Sequence, residues 1–284
     1  MPPEWLKIRQ ARSDVTDYVI HWTRSTTNAN GTFTSAYDVL KSIIKYGYLI
    51  PSFAPKKRVT VGDRKNTIQG SNPAVCFTEQ PLHSFVQSCC VLSSRYQPYA
   101  VAIRKDRLFV YGGRPAVYGD ENLLAVLPDD WKYLWVRYNP IPNTELGGYP
   151  IDWTHEREWR ARAIKYSYGS VGMSSEEGVP LLLPPQIAVP QPIWYLPWIL
   201  VKNRAEVEAF HEFIAGLPQY RGTSGILRLY FETLKKAPII SLEDVETKVK
   251  NKDDRWSRLD TLPLEETDEA AAKVFKRLGW RDLK

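Results

Sequence analysis

Cysteine is scarce in this 284-residue chain: there are three, Cys76, Cys89 and Cys90. An odd number with two of them adjacent builds no disulfide framework, because neighbouring cysteines strain any bridge between themselves. Histidine is almost as sparse, with four residues scattered singly, and nothing in their placement matches zinc-ligand spacing. Long apolar runs are missing too. The longest strongly apolar one, 193–201, is broken by Pro197 and falls well short of the ~20 residues a spanning helix needs. The opening Met1-Pro2-Pro3-Glu4-Trp5-Leu6-Lys7 lacks the basic-then-apolar order of a signal peptide. No glycine-rich phosphate loop of the Rossmann or P-loop kind occurs, nor does an internal repeat of about 20–50 residues. These gaps exclude a disulfide scaffold and a doubly wound nucleotide fold. They predict a cytoplasmic protein with no metal and no membrane partner.

What is present reads as globular. Hydrophobic residues make up 43% and charged residues 25%, ordinary values for a packed domain, and the length fits one or two domains. Ten Trp and 16 Tyr exceed what a core of this size needs, so some rings are expected to line a groove. Charge is uneven. Residues 1–170 hold 22 Lys and Arg against 15 Asp and Glu, whereas 171–284 hold 16 against 17. The excess is densest at Lys56, Lys57, Arg58, Arg64 and Lys65, with Asp63 the acid among them. Such a patch attracts a polyanion; a solvated loop explains the charge equally well.

Periodicity places elements around these residues. The 18–23 segment is β-branched and aromatic, a strand. Residues 36–46 carry Val39, Leu40, Ile43 and Ile44 at helical spacing, with Gly47 as the stop. Further strands are expected at 74–78, 99–103, 108–110, 116–118, 134–138, 156–164 and 198–201. Helices are expected from Pro81 and over 206–217, and a mainly helical region beyond. Prolines between 180 and 197 exclude a regular helix there. Short strands with few helices indicate an α+β fold.

Three short motifs carry possible chemistry. His21-Trp22-Thr23-Arg24 sets His21 and Thr23 on one strand face, able to grip a ribose or an amide edge; a satisfied structural histidine is the plainer reading. In Cys76-Phe77-Thr78-Glu79-Gln80-Pro81, a strand runs into a helix start, and Thr78 or Glu79 is expected to cap it. In His155-Glu156-Arg157-Glu158-Trp159-Arg160, read as a strand, Glu156 and Glu158 share a face. Two neighbouring carboxylates repel unless a cation or a function holds them. Stabilising positive charge on a sugar is one such function, and surface pairing with Arg157, Arg160 or Arg162 is the alternative.

The order and spacing of these motifs resemble bacterial ADP-ribosyltransferase-like proteins, notably DarT-type toxins and abortive-infection proteins of the AbiGi type. The resemblance covers about residues 18–165 and extends to the strand near Trp198. It implies a split β-sandwich with flanking helices over 1–200, and a mainly helical extension over 201–284 packed on it. It further implies NAD as substrate, held by His21 and Thr23, with Tyr48, Phe53, Phe77 or Tyr118 against it. Glu158 takes the role of the catalytic glutamate and Glu156 that of its companion. Arg64 stands for the family's loop arginine, with Arg58 the other choice. The function implied is transfer of ADP-ribose to a nucleic acid or a protein by a toxin or phage-defence effector, with an antitoxin or another protein as a partner. Lys56, Lys57, Arg58 and Lys65 would hold a nucleic-acid acceptor. The residues alone leave a second class standing, a non-catalytic protein that binds nucleic acid or a partner on the same scaffold. A metal-dependent nuclease is disfavoured for want of a ligand cluster.

Overall fold

The computed structural model describes residues 4, 14–28, 30–55, 65–91, 96–141, 150–162, 178–181, 197–217 and 234–250. In chain order these form β1 (Tyr18–Trp22), β2 (Thr26–Thr27), β3 (Phe33–Thr34), α1 (Ala36–Tyr46), β4 (Tyr48–Leu49), β5 (Ala74–Thr78) and α2 (Leu82–Val91). There follow β6 (Ala100–Arg104), α3 (Lys105–Val110), β7 (Arg114–Pro115), β8 (Val117–Gly119), α4 (Glu121–Val126) and β9 (Trp135–Arg137). The series ends with β10 (Glu158–Arg162), β11 (Val179–Pro180), β12 (Trp198–Val201), α5 (Arg204–Ala215), β13 (Ile239–Ser241) and α6 (Leu242–Lys250). The chain is a mixed α and β protein built on a seven-stranded sheet of order β13-β12-β6-β1-β5-β10-β7. Neighbours are antiparallel except β12 and β13. Among the described residues no helix is long and apolar enough to cross a membrane.

Alternation along the strands divides the core. Val19, Val101, Phe77 and Trp159 face α1 and α5, packing on Leu40, Ile44, Phe210 and Ile214. Ile20, Ala102 and Leu200 face α2 and α6, packing on Phe85 and Val245. A small third cluster, Ile68, Ala74, Tyr133 and Leu134, covers the far end of the second face. Between α2 and that cluster, among the described residues, this face of β1, β5 and β10 is lined by a cleft.

α1 shows why the pattern folds locally as it does. Leu40 and Ile44 are buried, one turn apart on the inward stripe. The Ser35 hydroxyl accepts from the Asp38 backbone N–H at 3.1 Å, satisfying an orphan donor. Gly47 closes the helix at φ +78° and donates to the Ile43 carbonyl, a backbone region that favours glycine. Ser35→Ala should therefore lower stability by about 1 kcal/mol, read as a fall in the urea midpoint with unchanged slope.

Two expectations change here. The apolar trio at 108–110 is helical, in α3 (Lys105–Val110), with Leu108 buried; a run of three apolar residues has no period to read. The strand expected at 156–164 begins only at Glu158. At the C-terminal side, β12 straddles residue 200 and β13 pairs with it, so the region beyond residue 200 adds a strand to the common sheet, on which α5 and α6 pack.

Candidate functional site

The cleft has a volume of about 1160 Å³, and its floor is β1, β5 and β10. A smaller cavity of about 770 Å³ lies near the start of α5, where Glu206 is already held by the Tyr99 hydroxyl at 2.9 Å.

A seam in the sheet shapes the cleft. β1 and β5 share one register pair, Ile20 opposite Thr78. One residue further on, His21 donates from its ring Nδ1 to the Cys76 carbonyl at 2.8 Å, where a backbone ladder bond would otherwise fall. The register sets His21 with Phe77 and Trp159 on one side of the sheet and Glu158 with Thr78 on the other. Both His21 and Glu158 nevertheless line the cleft, because His21 sits at the seam. Burial pushes the His21 pKa down, and the nearby Arg24 charge adds to this, against the bond to Cys76. With Nδ1–H donating, the neutral ring presents Nε2 as an acceptor. Among the described residues Nε2 has no partner.

Glu158 is held from behind. Arg160, 1% exposed, donates from Nε to Glu158 Oε1 at 2.8 Å. Its Nη1 donates to the Tyr133 and Trp135 carbonyls at 2.7 and 2.8 Å. Burial is the largest single influence and works to discharge the guanidinium, but the charge and hydrogen bond of Glu158, with Cys76 and Tyr118, together outweigh it and hold Arg160 charged. The Tyr118 hydroxyl accepts from the Glu158 backbone N–H at 2.8 Å, and burial raises that phenol to about 12. Cys76 faces the same carboxylate. Burial first, then Glu158, drive its thiol pKa up, so it stays protonated and is no nucleophile.

Glu156 and Glu158 do not share a strand face, contrary to the alternation of the sequence. Glu156 ends a tight turn over Thr154–Glu156, and Arg157 takes a left-handed conformation at φ 44° before β10 starts. The turn wins because side chains capture its backbone. Asp152 accepts from the Thr154 N–H at 2.9 Å. Gln80 donates to the His155 carbonyl at 2.9 Å, and Thr78 to that of Glu156 at 2.5 Å. The Glu156 side chain still lines the cleft, 6% exposed, and accepts from the Tyr96 hydroxyl. The partner of Glu158 is thus a buried arginine two residues along its own strand, not a surface cation.

The remaining expected residues scatter. Phe77 lines the cleft; Thr23, Tyr48, Phe53 and Tyr118 are not among its lining residues. Thr23 is buried and donates to the Ala36 carbonyl at 2.7 Å, tying β1 to α1. Tyr48 pairs with Pro180 in a two-stranded ribbon. Glu79 caps nothing: its carboxylate accepts from Trp159 Nε1 at 2.6 Å and pairs with Lys105 at 2.5 Å. Lys65 is exposed, whereas Lys56, Lys57, Arg58 and Arg64 lie outside the described residues. The ends of that loop are fixed, since Pro55 and Asn66 form a bridge and both line the cleft. Sequence reasoning missed Tyr96 and gave Arg160 only a surface role. No local pattern ties Tyr96 to Glu156, and Arg160 is marked only by its two-residue offset from Glu158.

Among the described residues no group of three or more His, Cys, Asp or Glu is placed to hold a metal ion. Compared with known proteins, the chain matches no family model, no curated protein and no solved structure.

Proposed function

We propose that the cleft binds NAD and that the protein is an ADP-ribosyltransferase of the split β-sandwich type, acting on a nucleic acid. One observation carries the reading: a neutral histidine whose acceptor nitrogen has no partner among the described residues, and a carboxylate braced by a buried arginine, line one cleft.

The chemistry follows from those two groups. His21 Nε2 accepts a hydrogen bond from a ribose hydroxyl or the nicotinamide amide, a ground-state contact. Glu158 accepts from the 2′-hydroxyl of the nicotinamide ribose. When the bond from nicotinamide to the anomeric carbon breaks, its electron pair leaves with neutral nicotinamide and positive charge develops on the ribose. The carboxylate, braced by Arg160, then stabilises that charge without reorganising. Glu156 takes the proton of the acceptor that attacks the anomeric carbon. With water as acceptor the same steps hydrolyse NAD.

The acceptor reading rests on the basic stretch between Pro55 and Asn66, which leaves from and returns to the cleft rim. Lys56, Lys57 and Arg58 would draw phosphates toward the site. Incubation with NAD labelled in its adenine ring, beside separate pools of DNA, RNA and protein, tests this. Label is expected in a nucleic-acid pool and should fall as salt rises. Replacing Lys56, Lys57 and Arg58 by Ala should cut that labelling while sparing slow hydrolysis by water. Label in protein alone would contradict the acceptor assignment.

A further inference from the structure

The charged side chains around the cleft are almost all engaged. Glu158 pairs with Arg160 at 2.8 Å, and Arg137 with Glu121 at 3.3 Å. Glu156 is bonded by Tyr96, and Asp152 holds the Thr154 hydroxyl at 2.6 Å. Arg24 lines the same cleft, is exposed, and has no carboxylate partner among the described residues. Its charge works to lower the pKa of both His21 and Cys76.

Arg24 also stands on fixed backbone. On one side Thr23 donates its N–H to the Tyr99 carbonyl at 2.8 Å and its hydroxyl to the Ala36 carbonyl at 2.7 Å. On the other, the Ser25 N–H donates to Gln97 Oε1 at 2.7 Å. The residues either side are thus spent on holding the chain, and the exposed residue between them brings a guanidinium to the lining of the cleft. A guanidinium is suited to a phosphate, which it can bind through two parallel N–H bonds. Among the described residues the cleft thus carries both Arg24, which has no carboxylate partner, and the braced carboxylate of Glu158.

We propose that Arg24 is the contact for a phosphate group of the cleft's ligand, and that this phosphate belongs to the diphosphate of a dinucleotide. The assignment rests on the NAD reading above. It makes Arg24 a binding residue that acts on the ground state. A phosphate of a nucleic-acid backbone offers the same chemistry, and the test separates the two.

Calorimetric titration of wild type, Arg24→Ala and Arg24→Lys with NAD, with ADP-ribose, with nicotinamide riboside, which lacks phosphate, and with a short single-stranded oligonucleotide decides the matter. Losing a charged hydrogen bond should weaken NAD and ADP-ribose roughly tenfold or more in Arg24→Ala, with partial recovery in Arg24→Lys. Nicotinamide riboside should bind all three proteins alike. The His21 imidazole, followed by NMR, should titrate at higher pH once the Arg24 charge is gone. Equal NAD affinity in wild type and Arg24→Ala would overturn the assignment and leave the NAD reading standing. So would a loss confined to nucleic-acid binding, which would move the phosphate to the acceptor. Failure of the wild type to bind either NAD or ADP-ribose would bring down both.

Discussion

Glu158→Gln should lower NAD cleavage by ~10² or more, chiefly in kcat, because the carboxylate charge acts as positive charge develops on the ribose. Nucleotide affinity should change little. The amide keeps a carbonyl for Arg160 Nε, so the β10 position of the side chain is retained, but Arg160 loses its only described carboxylate. Some stability will go with it, so activity must be read well below the unfolding temperature. Near-normal turnover in a folded Glu158→Gln protein would remove Glu158 from the chemistry.

Arg160→Met should be among the most destabilising single changes in the chain. It strands the Glu158 carboxylate, 17% exposed, and leaves the Tyr133 and Trp135 carbonyls without their donor. Breaking a buried pair from one side costs about 3–5 kcal/mol. The double variant Arg160→Met with Glu158→Leu removes both charges and should recover much of that stability, yet remain inactive. Denaturant midpoints of the two single variants and the double give the coupling directly. If the double variant is no more stable than Arg160→Met alone, the carbonyls and not the ion pair dominate the bracing.

The sequence was informative where one face of one element decides its form. α1 (Ala36–Tyr46), β5 (Ala74–Thr78) and β12 (Trp198–Val201) follow from apolar spacing and from glycine or proline stops. It was uninformative where side chains far along the chain settle the backbone. The alternation of Glu156, Glu158 and Trp159 reads as one strand, but Thr78, Gln80 and Asp152 hold the preceding residues in a turn. β13 (Ile239–Ser241) is too short for a period and exists because β12 offers it an edge. For the site, residue types drew attention to His21 and Glu158. Their being lining residues of one cleft depends on β1 and β5 parting after Ile20, which no local pattern encodes. The roles of Arg160 and Tyr96 are likewise products of packing. Thr23 shows the reverse: a polar residue in a promising motif whose hydroxyl is consumed by the fold.

On the proposed reading, this cleft breaks the bond between nicotinamide and ribose. Quantifying free nicotinamide after incubating NAD with the wild-type protein, and in parallel with Glu158→Gln, tests it most directly. Nicotinamide release should depend on wild-type protein, rise when the acceptor is present, and fall ~10² or more in the variant. No release above the uncatalysed background under any acceptor condition, or equal release by both proteins, would contradict it.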